Sequence, residues 1–499
     1  MNMRLNKFVE KYLWSIPVLL GFTLRIFDLT RSSIWHDEGY TMWLLRYNIL
    51  EILTRTARDV HPPGYYLIAK PWVMVFGDSV FSIRFLSLIF SVGIIFLTYK
   101  IIEILFSKKA AFWSALFVAF SPFMIRFGQE ARMYGVVAFF TTLAVYCFVL
   151  WLKNKKDIYL VGFVPAMLIA MYTQYYSFFA IISLWIILAL YTPELWQFKW
   201  LKGFKERSGV FSWKWWFANL SLLVLYIPWF MVAYKQVTRV SDSYWIKPEW
   251  ITIKTIPGSV SQFITYSHLD GILEWGGFLG NSVYWLIMLV LIFSGVFLFY
   301  AKDKKKAVIS LIVFGYLPML LVFVVSKLRT PIYQDRYFPF SAIAIFAIWG
   351  SAVSLIKNKT TRITVGSMVL VLMLLGIIIM RHDVNHKMRD LTEEVKNHST
   401  TSDVLLSESL YTFLDSSYYL GYGNIRFLSE PVDGYGESSL FYDQQDNFVV
   451  GLEELNNLGD RVWVIGRDSE NYIDKNASND WNKELVIQKD SLRAVLYTR

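Results

Sequence analysis

Cysteine and charge are both scarce in this sequence. Cys147 is the only cysteine among 499 residues, so no intramolecular disulfide can form and any domain outside a membrane must fold by packing alone. Charged residues make up 18% of the chain, whereas 55% of the residues are hydrophobic and 18% are aromatic. With a mean hydropathy of +0.40, this composition argues against a soluble protein and indicates a polytopic membrane protein.

Signatures of nucleotide and metal binding are also missing. The sequence contains no Walker motif and no convincing Gly-x-Gly-x-x-Gly, so it does not support ATP-driven chemistry or a soluble nucleotide-sugar donor. No Cys and His residues have the spacing of a zinc site, and the adjacent Asp37 and Glu38 lack the spacing usual for a divalent ion. We therefore predict no metal and no other cofactor, although a carboxylate with His61 leaves weak cation binding open.

Long apolar runs dominate the first 380 residues. A membrane-spanning helix needs about 20 mostly apolar residues. We predict eleven spans, near residues 12–29, 80–101, 110–126, 133–152, 158–173, 175–192, 217–234, 281–300, 307–325, 337–356 and 363–380. Arg25 and Asp28 replace a small-residue cleavage pattern, so the first run is predicted to be a retained span and not a removed signal peptide. The shorter segment 62–77, which Pro and Lys interrupt, is predicted to be an interfacial or re-entrant helix.

Lysine and arginine collect in every second loop between the predicted spans. Short loops that carry positive charge are retained in the cytoplasm, so these loops and the N-terminus are predicted to be cytoplasmic. The other loops are then predicted to face outward, namely 30–80, 127–132, 235–280 and 326–336. An odd number of spans places everything after residue 380 outside as well.

Composition changes at Arg381. Residues 381–499 contain twelve Lys and Arg against twenty-one Asp and Glu, a net charge of −9, whereas the first 380 residues carry +19 of the total of +10. Strands are predicted at 403–409, 425–430, 461–466 and within 484–499, and a short helix at 453–459. We therefore predict two domains: a transmembrane domain over 1–380, and a small extracytoplasmic α/β domain over 381–499.

Two of the loops predicted to face outward contain arginine, although Lys and Arg usually collect in cytoplasmic loops. Ionisable residues at the ends of spans are costly and need a partner or a ligand. FGQEARMYG, 127–135, contains Glu130 and Arg132, and SKLRTPIYQDRYFPF, 326–340, contains Asp335 and Arg336. One interpretation is a set of local ion pairs that tie the loops together. The other is a phosphate site, because the guanidinium group binds phosphate oxygens in bidentate fashion.

The stretch SSIWHDEGYTMW, 32–43, places Asp37 and Glu38 side by side on the same side of the membrane. A carboxylate there can take a proton from an attacking hydroxyl. Outward arginines suit a lipid phosphate, so the two features together predict sugar transfer from a lipid-linked phosphate.

Four blocks give a more specific resemblance: IWHDEGYTMW (34–43), DVHPPGYYLIAKPWVMVFGDSVFSIRFLSLIFS (59–91), FGQEARMYG (127–135) and YQDRYFPF (333–340). In order and spacing they resemble the membrane glycosyltransferases of the GT-C fold. The greatest similarity is to the dolichyl-phosphate-mannose-protein mannosyltransferases, glycosyltransferase family 39, and their bacterial relatives. The resemblance covers about residues 10–340.

The resemblance implies roles for individual residues. It implies that Asp37 is the catalytic base with Glu38 beside it, and that His61 lies near the acceptor. It places a further five residues at positions expected to face the lipid phosphate or to support that site: Arg132, Arg336, Tyr134, Tyr337 and Arg84. His61 as a brace of its own loop, and Glu38 as a residue that only orients Asp37, remain open.

The expected partners follow from this interpretation. They are a polyprenyl-phosphate-linked sugar, the surrounding membrane lipid, and an acceptor protein, glycolipid or polysaccharide at the outer face; no nucleic acid is expected. The blocks favour a bacterial plasma membrane. Two other classes stay open, a transporter or flippase of a lipid-linked saccharide and a degenerate assembly partner, but no matching halves with broken helices support the transporter.

Overall fold

A computed structural model describes residues 11–192, 209–243, 246–266, 295, 304–383, 387–428, 434–443, 448–449, 454, 457, 459–468 and 481–499. These residues form two compact units. The first contains the described residues of Met1–Phe27 and Arg84–Asp383, and the second contains those of Asp28–Ile83 and Val384–Arg499. The domain boundary predicted from sequence placed residues 30–80 in the transmembrane domain. In the structure, this segment packs instead with the C-terminal part of the chain.

Helices account for most of the described chain. In chain order they are α1 Ser15–Ile26, α2 His36–Leu44, α3 Ile49–Arg58, α4 Gly64–Phe76, α5 Val80–Leu105, α6 Lys108–Phe120, α7 Pro122–Gln129, α8 Tyr134–Asn154, α9 Ile158–Thr173, α10 Ser177–Leu190, α11 Trp213–Ser243, α12 Thr255–Thr265, α13 Lys305–Leu328, α14 Pro339–Leu355, α15 Lys359–Asp383, α16 Met388–His398 and α17 Leu410–Leu420. Short 3₁₀ turns lie at Gly209–Phe211, Pro248–Trp250, Asp335–Tyr337 and Gly436–Leu440.

Five described helices are long and apolar enough to cross a membrane, namely α5, α8, α13, α15 and the part of α11 from Trp213 to Arg239. The bent pair α6–α7 adds a sixth candidate, and four shorter apolar helices accompany them, α1, α9, α10 and α14. The predicted span 281–300 lies outside the described residues except for residue 295. The described part of the chain is therefore helix-rich with five to six candidate spans, and the count of eleven stays a prediction.

The predicted span 110–126 is one segment in sequence but two helices in the structure. Pro122 begins α7, and α6 and α7 meet at an angle of 58°. The Ser121 hydroxyl accepts a hydrogen bond from the Met124 amide, which caps α7. Because proline has no amide hydrogen and clashes with the preceding turn, an uninterrupted helix through this position is unfavourable.

The first unit packs its helices through small residues and aromatic rings. Gly350 of α14 lies against Ser114 of α6, where an added Cβ would come 2.3 Å from the Ser114 nitrogen. Such close approach through small residues is typical of helices that pack within a membrane. Elsewhere, the buried Trp215 of α11 contacts the ring of Trp151 at 5.6 Å and that of Phe163 at 5.1 Å.

A six-stranded sheet forms the core of the second unit. Its strands are β1 Val404–Ser407, β2 Ile425–Leu428, β3 Phe448–Val449, β4 Arg461–Arg467, β5 Asn482–Lys489 and β6 Leu492–Thr498, in the order β3-β2-β1-β4-β6-β5. The first four are parallel to one another, whereas β6 pairs antiparallel with β4 and β5. Apart from the short β3, these strands overlap the stretches predicted from sequence, with β5 beginning two residues earlier and β4 ending one residue later than predicted. The predicted helix at 453–459 lies largely outside the described residues.

The order of the parallel strands creates a switch point. From β1 the chain passes through α17 to β2 and then β3 on one side, and β4 is added on the other side of β1. In open α/β sheets, ligands bind outside the carboxyl ends of the strands at such a point. The carboxyl ends of β1 and β4 and the start of α17 are therefore a favourable place for a site in this unit.

Candidate functional site

The two predicted carboxylates lie in the first turn of α2. Trp35 has an extended backbone and begins the helix, so His36, Asp37 and Glu38 follow at its positive end, where negative charge is favourable. Glu38 is fully buried, His36 is 6% exposed, and Asp37 is half-buried. Asp37 is therefore the carboxylate of the two that can reach a ligand directly, while Glu38 points into the protein.

Helix α17, from the C-terminal part of the chain, packs directly on α2. An added Cβ at Gly39 would lie 2.9 Å from the Asp415 Oδ1 and 3.0 Å from the backbone carbon of Leu414. Glycine at position 39 thus allows the two helices to approach closely. This contact brings Asp415 beside the first turn of α2, where Asp37 and Glu38 lie.

A third segment, residues 434–443, completes this cluster. Glu437 approaches His36 with its Oε1 2.6 Å from the imidazole Nε2. One donor atom each from His36, Asp37 and Glu437 lies within 4.8 Å of the others, which is a ligand set of the type that binds metal ions. The imidazole also packs on the ring of Tyr411 at 4.1 Å, and the Arg467 guanidinium lies 4.8 Å from that ring.

Negative charge is concentrated in this cluster. Burial raises the pKa of Asp415 well above its usual range, and the neighbouring Glu38 and Asp37 raise it further, against the opposing effect of Arg467. Burial also raises the pKa of Tyr411, as does the nearby Glu437. Burial and the neighbouring carboxylates of α2 thus favour the neutral form of Asp415.

Arg55 of α3 fixes the segment that carries Glu437. Its guanidinium donates to the carbonyl oxygens of Ser439 at 2.8 Å and Leu440 at 3.0 Å, and to both carboxylate oxygens of Asp443 at 2.8 and 3.1 Å. Arg55 is 5% exposed, and its guanidinium lies 3.9 Å from the centre of the Tyr47 ring. These bonds fix residues 439–443, a segment that begins two positions after Glu437.

The predicted phosphate-site residues belong to the first unit, whereas the α2 cluster belongs to the second. Tyr134 begins α8 and Tyr337 lies in the 3₁₀ turn Asp335–Tyr337, and their ring centres are 6.2 Å apart. Tyr176 contacts Tyr337 at 4.8 Å. The structure therefore brings the FGQEARMYG and YQDRYFPF blocks together, as a shared site requires.

The arginines of these blocks have different environments. Arg132 is buried at 3% exposure, whereas Arg336 is half-buried with its guanidinium 5.5 Å from the ring of Tyr337. Arg84 lies in the first turns of α5 and is also buried, at 3% exposure.

Part of the charge in these blocks is satisfied locally. Arg126 forms an ion pair of 2.5 Å with the buried Glu130, and Asp335 accepts a hydrogen bond from the Ser259 hydroxyl. The local ion-pair interpretation therefore applies to Glu130, with Arg126 as its partner.

His61 lies between α3 and α4, half-buried, and is not part of the group of possible metal ligands found among the described residues. The histidine in that group is His36. Sequence reasoning did not single out His36, Tyr411, Asp415, Glu437 or Arg467. His36 could have been found from its position beside Asp37, but no local pattern marks the other four.

Comparison with known proteins identifies the fold. The sequence profile of the dolichyl-phosphate-mannose-protein mannosyltransferase family matches residues 60–231, which include His61, Arg84, Arg132 and Tyr134. ArnT from Cupriavidus metallidurans, bound to undecaprenyl phosphate, is similar with a TM-score of 0.60 and 12% identity over 97% of each chain. The chain has the GT-C fold.

Two further structures share this GT-C fold. The apo form of the same ArnT has a TM-score of 0.60 with 11% identity over 97% of each chain. The oligosaccharyltransferase of Archaeoglobus fulgidus, in complex with Zn and sulfate, has a TM-score of 0.52 with 14% identity over 91% of this chain and 68% of that one. No curated protein matches the sequence. The fold and the apolar helices make this chain a multi-pass membrane protein similar to the GT-C glycosyltransferases.

Proposed function

We propose that this protein is an integral-membrane glycosyltransferase that moves a sugar from a polyprenyl-phosphate donor to an acceptor at the outer face of the membrane. The observation that carries the proposal is the GT-C fold over 97% of the chain, shared with a protein crystallised with undecaprenyl phosphate. The family match over residues 60–231 supports the same class of reaction. Eleven spans, a cytoplasmic N-terminus and a bacterial plasma membrane belong to this proposal.

The proposed reaction is a single inverting displacement. Asp37 takes the proton of the acceptor hydroxyl or amine, whose heteroatom forms a bond to the anomeric carbon as the bond from that carbon to the phosphate oxygen breaks. The electron pair leaves with the polyprenyl phosphate. The half-buried position of Asp37 supports this role, because its carboxylate remains accessible while Glu38 does not.

The leaving phosphate gains negative charge as the bond breaks. Arg132 and Arg336 are proposed to stabilise that charge, with Tyr134, Tyr337 and Arg84 supporting the phosphate site. The contact between Tyr134 and Tyr337 supports a common task for the two blocks. Glu38 is proposed to orient Asp37, and His61 to lie on the acceptor side; the step itself calls for no cofactor.

The proposal is tested with membranes that contain the protein and native acceptors. Polyprenyl-phosphate sugars labelled in the sugar are supplied, and the label is followed in the donor-lipid fraction, in other products and across the bilayer. Transfer predicts that label leaves the donor lipid and appears in one acceptor class, which then identifies the acceptor. Label that crosses the bilayer while still attached to its lipid would contradict transfer and support a flippase.

A further inference from the structure

Four lysines meet where α8 ends and where α9 and α11 begin, and they define what we call the lysine surface. Lys153 lies in the last turn of α8, Lys155 and Lys156 lie in the turn that follows, and Lys214 lies in the first turn of α11. The Lys214 Nζ is 2.7 Å from the Asp157 Oδ2, so the start of α11 is joined to the turn before α9. Together with Asp157, the four lysines give this surface a net charge of +3.

The turn between α8 and α9 is held in one conformation. Lys155 adopts a left-handed backbone with a φ of 57°, and its amide donates to the Trp151 carbonyl oxygen at 2.9 Å, which ends α8. The Asn154 side chain donates to the Tyr159 hydroxyl at 3.1 Å across the turn. The three lysines of this turn are exposed, and within the described part of the chain none of them forms an ion pair. The turn therefore keeps three positive charges at the surface.

An apolar stripe on α11 begins beside Lys214. Trp213 and Trp216 lie about one turn apart and are 67% and 58% exposed. Exposed Phe217 and Leu220 continue the stripe along a helix that is a candidate membrane span from Trp213 to Arg239. Tryptophan is enriched where a span meets the polar headgroups, so the two tryptophans mark the interfacial end of a face suited to acyl chains.

Helix α9 presents a second apolar surface at the same end. Ile158 and Val161 are exposed in its first turns, directly after Asp157. The buried Trp215 of α11 lies 5.6 Å from the ring of Trp151 and 5.1 Å from that of Phe163, which fixes the ends of α8, α9 and α11 to one another. The lysines and the exposed apolar side chains are therefore parts of one rigid surface.

This combination determines the chemistry of a partner. A soluble polyanion would satisfy the lysines but not the apolar stripe, and a neutral lipid would satisfy the stripe but not the lysines. An anionic phospholipid satisfies both, since its charged phosphate is joined to acyl chains. Each lysine near a membrane surface contributes about 1 kcal/mol to the attraction of anionic lipid.

We propose that the lysine surface, with Trp213 and Trp216, binds an anionic phospholipid. In the proposed topology this lipid belongs to the cytoplasmic leaflet, on the side of the membrane opposite to the proposed sugar transfer. The positive charge of the loop by itself predicts only the orientation of the chain. The lipid site follows from the fixed turn and from the exposed tryptophans beside it.

The test uses purified full-length protein in nanodiscs of phosphatidylcholine and phosphatidylglycerol. In a Cys147→Ser background, Ile158→Cys carries a fluorophore, and spin-labelled lipid is added as the quencher. Phosphatidylglycerol and phosphatidylcholine with the same spin-labelled chains are compared. The mole fraction of quencher that halves the fluorescence is expected to be at least about threefold lower for the anionic lipid. High salt should reduce this preference, because it screens exposed charges.

A matched pair of variants assigns the preference to the lysine surface. Glutamine at positions 153, 155 and 156 should abolish the preference, so that both lipids quench alike. Glutamine at Lys304, Lys357 and Lys359, which are exposed lysines of other predicted cytoplasmic segments, makes the same change in net charge and should leave the preference intact.

Three results would overturn the proposal: equal quenching by the two lipids with all lysines present, a preference that survives substitution of the lysine surface, or a preference that the control substitutions abolish equally. Thermal unfolding midpoints show whether each variant is folded, and the comparison with all lysines present stands even if one is not. No sugar donor enters this test, so its outcome is separate from that of the proposed transferase activity.

Discussion

Asp403, just before β1, is a carboxylate whose hydrogen bonds come from several groups. Arg461 donates to its Oδ1 at 3.0 Å, the Trp463 indole to its Oδ2 at 3.0 Å, and Thr400 donates through both its hydroxyl and its amide. Burial alone would raise the pKa of Asp403, but the hydrogen bonds outweigh it and lower the pKa below the ordinary value. Asp403 thus stabilises the fold in its charged form.

This environment predicts a pH-dependent contribution to stability. Because the pKa is lowered on folding, the contribution is complete above the unfolded value of about 3.9 and is lost as the pH falls through the folded value. Asp403→Asn is expected to destabilise the sheet by about 1–3 kcal/mol at pH 7 and by less at pH 3. Hydrogen exchange of β4 amides, compared with wild type at the same pH, measures this, and the exposed Asp460→Asn is the control. An equal effect of Asp403→Asn at both pH values would contradict the account.

The candidate site could be predicted from sequence only where its residues form local blocks. Asp37 and Glu38 are adjacent, and the blocks with Tyr134 and Tyr337 do meet in the structure. Asp415 and Glu437 could not be predicted, because they reach α2 through tertiary contacts across more than 370 positions of sequence. Their own segments contain no motif that marks them.

At the scale of elements, the packing of α2 on α17 determines the surroundings of the carboxylates. Trp43 of α2 is 1% exposed and contacts the rings of Phe413 at 5.3 Å and Tyr422 at 5.0 Å. The Tyr419 hydroxyl accepts a hydrogen bond from the Ile34 amide at 2.9 Å. These contacts leave no space for a side chain at Gly39.

Gly39→Ala is therefore expected to push α2 and α17 apart. The added methyl group would clash with the Leu414 backbone, which cannot rotate away, and overpacking of this kind costs about 1–3 kcal/mol. Hydrogen exchange of α17 amides should become faster. Gly315→Ala is the control, since its Cβ would meet Ala344 at 3.4 Å, an ordinary contact. Unchanged exchange in α17 of the Gly39→Ala protein would show that this contact is not tight.

The observed bounds of helices and strands match the predicted ones where periodicity and composition indicate the same element. The predicted run 158–173 is α9, and RVWVIG lies within β4. The break between α6 and α7 was missed because both sides are equally apolar, so hydropathy does not separate them. Pro122, with a capping serine before it, was the signal that indicated two helices.

At the scale of the molecule, the distribution of Lys and Arg predicts which ends face the cytoplasm. Cys147 is the only native cysteine, so a Cys147→Ser background permits labelling at single introduced sites. Lys156 and Ser402 are both exposed and lie on opposite sides in the predicted topology.

A membrane-impermeant maleimide applied to intact cells is expected to label Ser402→Cys protein. Lys156→Cys protein should react only after the membrane is permeabilised, which serves as the control for reactivity. The reverse pattern would contradict the proposed orientation and with it an outer-face reaction.

The division of the chain into units was harder to predict than its membrane character. Composition alone indicates a membrane protein, because membrane character depends on the summed hydropathy of many residues. The grouping of Asp28–Ile83 with Val384–Arg499 depends instead on a few long-range contacts, such as those of Gly39 and Arg55. Such contacts leave no trace in local composition.

The central claim is that Asp37 is the base of a lipid-phosphate-dependent sugar transfer, and one comparison tests it most directly. Membranes with wild type, Asp37→Asn or the exposed control Asp78→Asn are given polyprenyl-phosphate sugars labelled in the sugar, and the rate at which label leaves the donor lipid is measured. The account predicts that Asp37→Asn lowers that rate by about 10²- to 10⁴-fold while Asp78→Asn leaves it unchanged. Transfer at the wild-type rate by the Asp37→Asn protein would contradict the claim.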